Sequence, residues 1–293
     1  MSLTTLIPLV LKFSIMLMVF AIGLKATFAD TLYLFRCPRK LLRALVSMFV
    51  VMPLFALLLD YTFQLNPPLK IALIALAVSP IPPFLPTKAM KAGGREDYTI
   101  GLLTATAVLS VVVIPLMMEL VERISGVPLQ MRARDVAALV LSSVLVPLLL
   151  GMGVRYLWSS FAERAAKPIA TFAIVMLIVP CIPILFTSVR AVLALVGDGT
   201  LIALAAFALV GLIVGHLLGG PDPESRAVLA LATSSRHPAV ALAISHVNFP
   251  NQKLAGALVL VYLILSTILA APYLNWAKKS QSTTAASEKQ VEA

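Results

Sequence analysis

Charged residues are scarce in this chain. Only 12% of its 293 residues are charged, whereas 60% are hydrophobic. A soluble domain carries about a quarter charged residues, so the composition excludes a soluble protein and indicates an integral membrane protein. Cysteine is scarcer still, at two residues, which excludes a disulfide framework. Because no soluble module is left to carry a basic face, the net charge of +10 does not indicate nucleic acid as a partner.

Acidic residues are also few, 13 in all, and none lies near the middle of a hydrophobic run. The sequence contains no zinc-protease, nucleophile-elbow or Walker motif. Ser234 and His237 form the one hydroxyl–imidazole pair close in sequence, but no acid nearby can orient the imidazole. The sequence therefore predicts no catalytic residue, no metal site and no enzyme activity.

Long apolar runs fill almost the whole chain. Nine runs of about 20 residues, the length that crosses a bilayer, are separated by short loops. They cover residues 5–26, 41–62, 69–93, 98–121, 135–157, 168–189, 192–218, 223–247 and 252–276. This pattern predicts an all-α membrane protein with about nine transmembrane helices in one domain, residues 1–279. The polar residues 280–293 are predicted to form a disordered cytoplasmic tail.

Positive charges are distributed unevenly between the loops. With the N-terminus outside and the C-terminus cytoplasmic, 15 Lys and Arg residues fall inside and 6 outside, as the positive-inside rule requires. The inside set is Lys25, Arg36, Arg39, Lys40, Arg43, Lys88, Lys91, Arg95, Arg155, Arg164, Lys167, Arg226, Lys278, Lys279 and Lys289. The outside set is Lys70, Arg123, Arg132, Arg134, Arg190 and Lys253. We expect this orientation in a bacterial-type inner (plasma) membrane.

Two of the nine runs are interrupted by proline near their centres. The first, after the tripeptide Ala-Leu-Ala at 75–77, contains Pro80, Pro82, Pro83 and Pro86. The second follows the same tripeptide at 230–232 and contains Pro238. Proline lacks an N–H and clashes with the preceding turn, so neither run can be one straight helix. Broken segments at matching positions of two halves point to the binding site of a secondary transporter.

The matching breaks also predict an internal repeat. Aligning the two tripeptides places residues about 5–121 on residues about 168–276, with a proline near the far end of each last run. Five runs separate each matched pair, and because five is odd the two copies cross the membrane in opposite senses. We therefore predict an inverted repeat with two broken, crossing helices. The alternative is chance similarity of a common tripeptide.

Several short motifs resemble the bile acid:sodium symporter family over nearly the whole chain. Residues 20–24 are similar to its Phe-x-x-Gly-Leu, and residues 36–39 to its Arg-x-Pro-Arg turn. Ser79-Pro80 stands where the family has Cys-Pro, and residues 147–151 resemble its Pro-(x)3-Gly helix. The resemblance implies a core domain with two crossed broken helices, set against a panel domain, and symport of an organic anion with sodium.

The chain departs from this family where its sodium-coupled members bind the cation. Their second break holds a Glu followed by Gln-Asn, whereas residues 233–238 read Thr-Ser-Ser-Arg-His-Pro and contain no carboxylate. Their first break holds small polar residues and an Asn, which residues 81–86 replace with apolar residues and prolines. We therefore assign no sodium ligand. Na⁺ stays open only through the resemblance, and no other cofactor is expected.

Arg236 is the most informative residue of the second break. It falls near the bilayer centre, where a charge costs about 2.5–3.5 kcal/mol on insertion scales and is a functional candidate by default. A cation about 4 Å from it would be opposed by about 4 kcal/mol at an effective dielectric constant near 20, whereas an anion would be attracted. Guanidinium binds carboxylate, sulfonate or phosphate through paired hydrogen bonds. The alternatives are an ion pair with a buried acid and the capping of backbone carbonyls.

Other polar groups are expected around the two breaks. Pro86 and Pro238 can each begin a half-helix whose free N–H groups attract an anion. Hydroxyls of the serines can bind a ligand, or can bond within their own helix. The imidazole can donate to substrate or carry a proton, or can instead hold the unwound backbone. The predicted substrate-binding residues are Arg236, His237, Ser234, Ser235, Ser79 and Thr87.

These features predict a secondary active transporter that moves a small organic anion by alternating access, without a recognisable sodium site. One alternative is a sodium-coupled symporter of the family type, which would hold Na⁺ with carbonyls and hydroxyls alone. A further alternative is a membrane scaffold or sensor that does not transport. The expected partners are the anion and the lipid bilayer.

Overall fold

The computed structural model describes residues 3–125, 133–194, 199–249 and 251–291, and within them the regular secondary structure is all helical. Two π-helical stretches, Val46–Val51 and Leu141–Leu145, interrupt longer helices. The α-helices are α1 (Leu3–Gly23), α2 (Phe28–Arg36), α3 (Pro38–Leu45), α4 (Met52–Phe63), α5 (Pro67–Val78), α6 (Leu85–Lys91), α7 (Glu96–Ser125), α8 (Ala133–Val140), α9 (Val146–Leu157), α10 (Ser159–Ala194), α11 (Thr200–Leu218), α12 (Pro223–Ser234), α13 (Pro238–Asn248) and α14 (Lys253–Val291). This confirms the all-α membrane class.

Five continuous helical stretches in the described part of the chain are long and apolar enough to cross a membrane. They are Pro38–Phe63, Glu96–Ile124, Ala138–Leu157, Thr200–Leu218 and Leu254–Ser280. Lys12–Gly23 and Phe28–Arg36, which meet at 91°, count as a sixth span if they are taken together. The predicted runs 69–93 and 223–247 do not appear among the five because each is divided into two short helices. The nine-helix inverted repeat stays a prediction.

Helix α2 is an element that the count of apolar runs did not predict. It begins with a capping box, in which the Thr27 hydroxyl accepts from the N–H of Asp30 and the Asp30 carboxylate accepts from the N–H of Thr27. Phe28, Leu32 and Phe35 are exposed along one face, and the opposite face packs on α7. A nine-residue helix with one apolar face is too short to register as a membrane span.

Pro53 lies just after the π-helical stretch Val46–Val51. In an i→i+5 pattern the carbonyl of Met48 would accept from residue 53, and proline has no N–H. In the i→i+5 pattern the Met48 carbonyl therefore has no donor in its own helix, whereas in an i→i+4 pattern the N–H of Met52 would donate to it. The second stretch, Leu141–Leu145, likewise lies just before a proline, Pro147.

Helices α1 and α9 cross at a pair of glycines. A Cβ atom built on Gly151 would lie 2.8 Å from the Cα of Gly23, and one built on Gly23 would overlap the carbonyl oxygen of Leu148. Small residues allow the backbones of membrane helices to approach this closely. The glycines of two motifs that were noted in the sequence thus form one contact.

We expect Gly151→Val to lower the melting temperature of the detergent-purified protein by about 5–10 °C, because the side chain would force α1 and α9 apart. Gly153→Val is the matched control, since a Cβ on Gly153 meets no described atom within 4 Å. Thermal unfolding of both variants checks the prediction. An equal loss in the control would show that helix propensity, not the crossing, determines the effect.

The loops that were assigned to the same side of the membrane contact one another. Lys40 Nζ lies 3.9 Å from the Asp222 carboxylate and 5.5 Å from the centre of the Tyr98 ring. At the opposite ends of the helices, Asn66 Nδ2 lies 3.5 Å from the hydroxyl of Thr200. These contacts fit the predicted alternation of the segments. Which face is cytoplasmic stays a prediction.

Helix α14 continues to Val291, through most of the polar segment 280–293 for which the sequence analysis predicted disorder. The segment contains Ala, Glu, Lys and Gln, which favour helix. The assignment of residues 280–293 to a separate cytoplasmic tail stays a prediction.

Candidate functional site between two broken helices

The two interrupted runs meet at their interruptions. Helix α5 ends at Val78 and the chain resumes as α6 at Leu85, while α12 ends at Ser234 and α13 begins at Pro238. The N–H of His237 donates to the carbonyl oxygen of Pro80 over 2.8 Å. The backbone of one break therefore supplies an acceptor to the backbone of the other.

The prolines that were expected to break the helices lie in and beside these gaps. Pro80, Pro82 and Pro83 lie in the first gap, between α5 and α6. Pro86 is the second residue of α6 and Pro238 the first residue of α13, positions at which a missing N–H costs little. Helix α6 has only seven residues, so α13 is the more substantial half-helix that begins at the site.

Arg236 projects from the second break to the first. It is 1% exposed, and its Nη1 donates to the carbonyl of Ser79 at 3.3 Å. Its Nη2 donates to the carbonyl of Met48 at 3.2 Å, in the π-helical stretch between α3 and α4. One guanidinium thus joins three separate parts of the chain.

The charge of Arg236 is not neutralised by an acid in the part of the chain that the structure describes. The ion pairs there are Lys40–Asp222, Lys70–Asp60, Arg95–Asp97, Arg123–Glu119 and Arg134–Asp135. Of the two structural alternatives for Arg236, the ion pair is therefore absent among these residues and the capping of carbonyls is present. Two neutral carbonyls stabilise the guanidinium but leave its unit charge uncompensated.

The predicted serines divide into two groups. The hydroxyls of Ser79 and Ser234 donate within their own helices, to Leu76 at 2.8 Å and to Leu231 at 3.3 Å. This is the alternative that the sequence left open for them. Ser235 is different, because its buried hydroxyl has no hydrogen-bond partner among the described residues. Ser235 is therefore the serine whose hydroxyl is left for a ligand.

The remaining predicted residues are His237 and Thr87. His237 is 1% exposed, and neither of its ring nitrogens has a partner within the described residues. Its imidazole therefore does not hold the unwound backbone, which is held by the His237 N–H instead. Thr87 is half-buried in the first turn of α6.

Four buried polar atoms without a described partner lie in three consecutive residues. They are the hydroxyl oxygen of Ser235, Nε of Arg236, and Nδ1 and Nε2 of His237. A buried polar group left unpaired costs about 1–3 kcal/mol, and most such groups in proteins are paired. Their concentration at the crossing of the breaks indicates a place for a polar ligand, and two of them, Nε–H and the hydroxyl, are donors that suit an anion.

Tyr262 is a residue of the site that the sequence analysis missed. It lies in α14, is fully buried, and its hydroxyl donates to the Ser234 carbonyl at the end of α12. Its ring packs edge-on against Phe207, with ring centroids 5.7 Å apart. A signal was present, because Tyr262 is the one tyrosine near the middle of a predicted run.

A second missed contact joins α12 to the π-helical stretch. The hydroxyls of Ser47 and Thr233 lie 2.5 Å apart, and Thr233 also donates to the carbonyl of Leu229. The stretch that holds Met48 is therefore fixed to α12 next to the break. This contact holds the Met48 carbonyl close to the break that carries its donor, Arg236.

Residues 12–195 of the chain match the model of the Sodium Bile acid symporter family. The match covers more than half of the chain. The chain belongs to this family. The matched part of this family member contains the Gly23–Gly151 crossing and the first break, and it ends before the second break. No curated protein matches the chain.

A coupling sodium ion, which the name of the family implies, does not fit the residues of this site. The two carbonyls that face the breaks, those of Ser79 and Met48, already accept from Arg236. The guanidinium would repel a second cation beside it by about 4 kcal/mol at 4 Å, which is nearly a thousandfold in affinity. In the described ranges no group of three or more His, Cys, Asp and Glu residues could hold a metal ion.

Proposed function

We propose that this protein is a secondary transporter that moves a small organic anion across the membrane by alternating access. Membership of a transporter family supports transport of a small molecule. The negative charge of the substrate is inferred from Arg236. Its guanidinium is buried and has no carboxylate partner among the described residues. A buried positive charge of this kind favours a negatively charged ligand.

The anionic group would bind at the second break. The Nε–H of Arg236 and the hydroxyl of Ser235 are both buried and available to an oxygen of the substrate. The imidazole of His237 can donate from whichever ring nitrogen carries the proton. These groups lie at the beginning of α13, where backbone N–H groups add to the favourable electrostatics. Carboxylate and sulfonate headgroups match this set of donors.

Alternating access requires two bodies that move against each other. The broken helices form one body, since the His237–Pro80 bond and Arg236 tie them together. Leu24, the residue after α1, forms a small hydrophobic cluster with Ala162 and Ala166 of α10, separate from the main core. Together with α9, which crosses α1, these helices would form the second body. The resulting movement would expose the second break to either side in turn.

The test is uptake of labelled carboxylates and sulfonates by proteoliposomes that contain the full-length protein. We expect saturable uptake, inhibited by unlabelled substrate, with the same rate whether the outer solution contains sodium or choline. Uptake that requires a sodium gradient would instead support the family-type symporter. Substrate binding without flux would support a scaffold or sensor.

A further inference from the structure

We infer that the guanidinium of Arg236 takes the place of a coupling cation: it is a tethered cation, held by carbonyls that a free monovalent ion would otherwise bind. The Ser79 carbonyl comes from the first break and the Met48 carbonyl from the π-helical stretch. Carbonyls of unwound backbone and of half-helix C-termini are the groups that coordinate Na⁺ in transporters with broken helices. Here two carbonyls of this kind accept hydrogen bonds from a positively charged side chain of the protein itself.

Both carbonyls are open to a cation for local reasons. Ser79 is the residue that caps the C-terminus of α5, where the helix dipole is negative and no following turn supplies an N–H. Met48 faces Pro53, which has no N–H to give in the i→i+5 pattern. Without Arg236, both carbonyls would lose this donor at one place, and in the i→i+5 pattern no N–H of its own helix would replace it for Met48. That is the composition of a small cation site.

The tethered cation links the two breaks permanently. A free ion holds such a site only when it is bound, so its binding can be coupled to transport. A side chain is always present, which removes the binding step. The consequence, which rests on the proposed transport function, is that movement of the substrate needs no co-transported cation. The structural statement itself concerns stability and does not need a substrate.

Thermal stability in detergent tests the inference without any substrate. We expect Arg236→Ala to melt about 5–10 °C below the wild type, because two charge-assisted hydrogen bonds are lost. Millimolar guanidinium or sodium chloride should restore part of the loss in a saturable manner. Choline chloride and urea, which is the neutral isostere of guanidinium, should restore none of it. The wild type should respond to none of the four.

Arg226→Ala is the matched control. Arg226 lies in α12, the helix that leads into the second break, and its Nε also donates to a backbone carbonyl, that of Gly220. It is half-buried at the end of the helix rather than at the break. We therefore expect its melting temperature to show no saturable dependence on guanidinium or sodium.

Two further variants decide the outcome if Arg236→Ala does not fold. Arg236→Lys keeps a tethered charge and should fold without added cation, whereas Arg236→Met keeps only the apolar stem and should be recovered only with guanidinium present. The inference is overturned if the alanine variant is insensitive to every cation, if urea stabilises it equally, if lysine is no better than methionine, or if sodium stabilises the wild type. None of these results would bear on uptake of the anion.

Discussion

Replacing Arg236 with alanine is expected to reduce uptake of the organic anion by about a hundredfold to a thousandfold. The variant loses the buried charge that we propose attracts the substrate, an interaction of about 4 kcal/mol at a separation of 4 Å and an effective dielectric constant near 20. Initial rates of uptake by proteoliposomes, at equal protein content, measure this loss. The substrate dissociation constant, measured in detergent, should rise by a similar factor.

The Arg226→Ala variant controls for the removal of a positive charge from the same broken run, residues 223–247. Arg226 contacts the backbone near the start of α12, away from the breaks, so we expect its uptake to stay within about twofold of the wild type. Arg236→Lys, which keeps the charge but not the planar fork, should lie between alanine and the wild type. Unchanged uptake in a folded Arg236→Ala protein would remove this residue from substrate binding.

Two variants at His237 are expected to separate the role of the imidazole from the role of the backbone. His237→Ala removes the ring but keeps the N–H that donates to Pro80, so it should raise the substrate KM about tenfold and leave the melting temperature nearly unchanged. His237→Pro removes the ring and the N–H together. The backbone at this residue has φ −72°, which proline adopts without strain.

The proline variant should lose uptake altogether and melt about 5 °C below the alanine variant. The carbonyl of Pro80 would be left buried without a donor, and the two breaks would no longer share a backbone hydrogen bond. Comparison of the two variants isolates this one bond, since both lack the imidazole. Equal uptake and equal stability of the two would show that the link between the breaks has no part in transport.

Local chemistry made some features of this fold predictable. The prolines between 80 and 86 and at 238 placed the ends of the half-helices, because the effect of proline on a helix depends on its nearest neighbours. The position of Arg236 at a break between two helices followed from Pro238 in the same run. The resemblance in short motifs was also correct, since the match over residues 12–195 confirms the family. None of these inferences required knowledge of which segments pack together.

The features that were missed depend on contacts between distant segments. Nothing near Arg236 in the sequence indicates that its partners are the carbonyls of Ser79 and Met48. The position of Tyr262 near the middle of an apolar run was a signal of a buried hydroxyl. Its acceptor, the Ser234 carbonyl, lies on another helix, which the sequence does not indicate. Amphipathic α2 was overlooked because run counting is sensitive to length. The hydroxyls of Ser79 and Ser234 could either bind a ligand or bond within their own helices, and both alternatives were physically sound. The three-dimensional structure was needed to decide between them.

Pro53 has a consequence for how the chain can change. Because proline never donates, an i→i+5 pattern through residues 46–53 leaves the Met48 oxygen without a helical donor, and only a change to the i→i+4 pattern, with Met52 as the donor, would satisfy it within its own helix. Loss of Arg236 would leave that acceptor stranded, and replacement of Pro53 would let the helix compete for it. Substitutions at these two distant positions therefore carry linked costs, and we expect them to be inherited together.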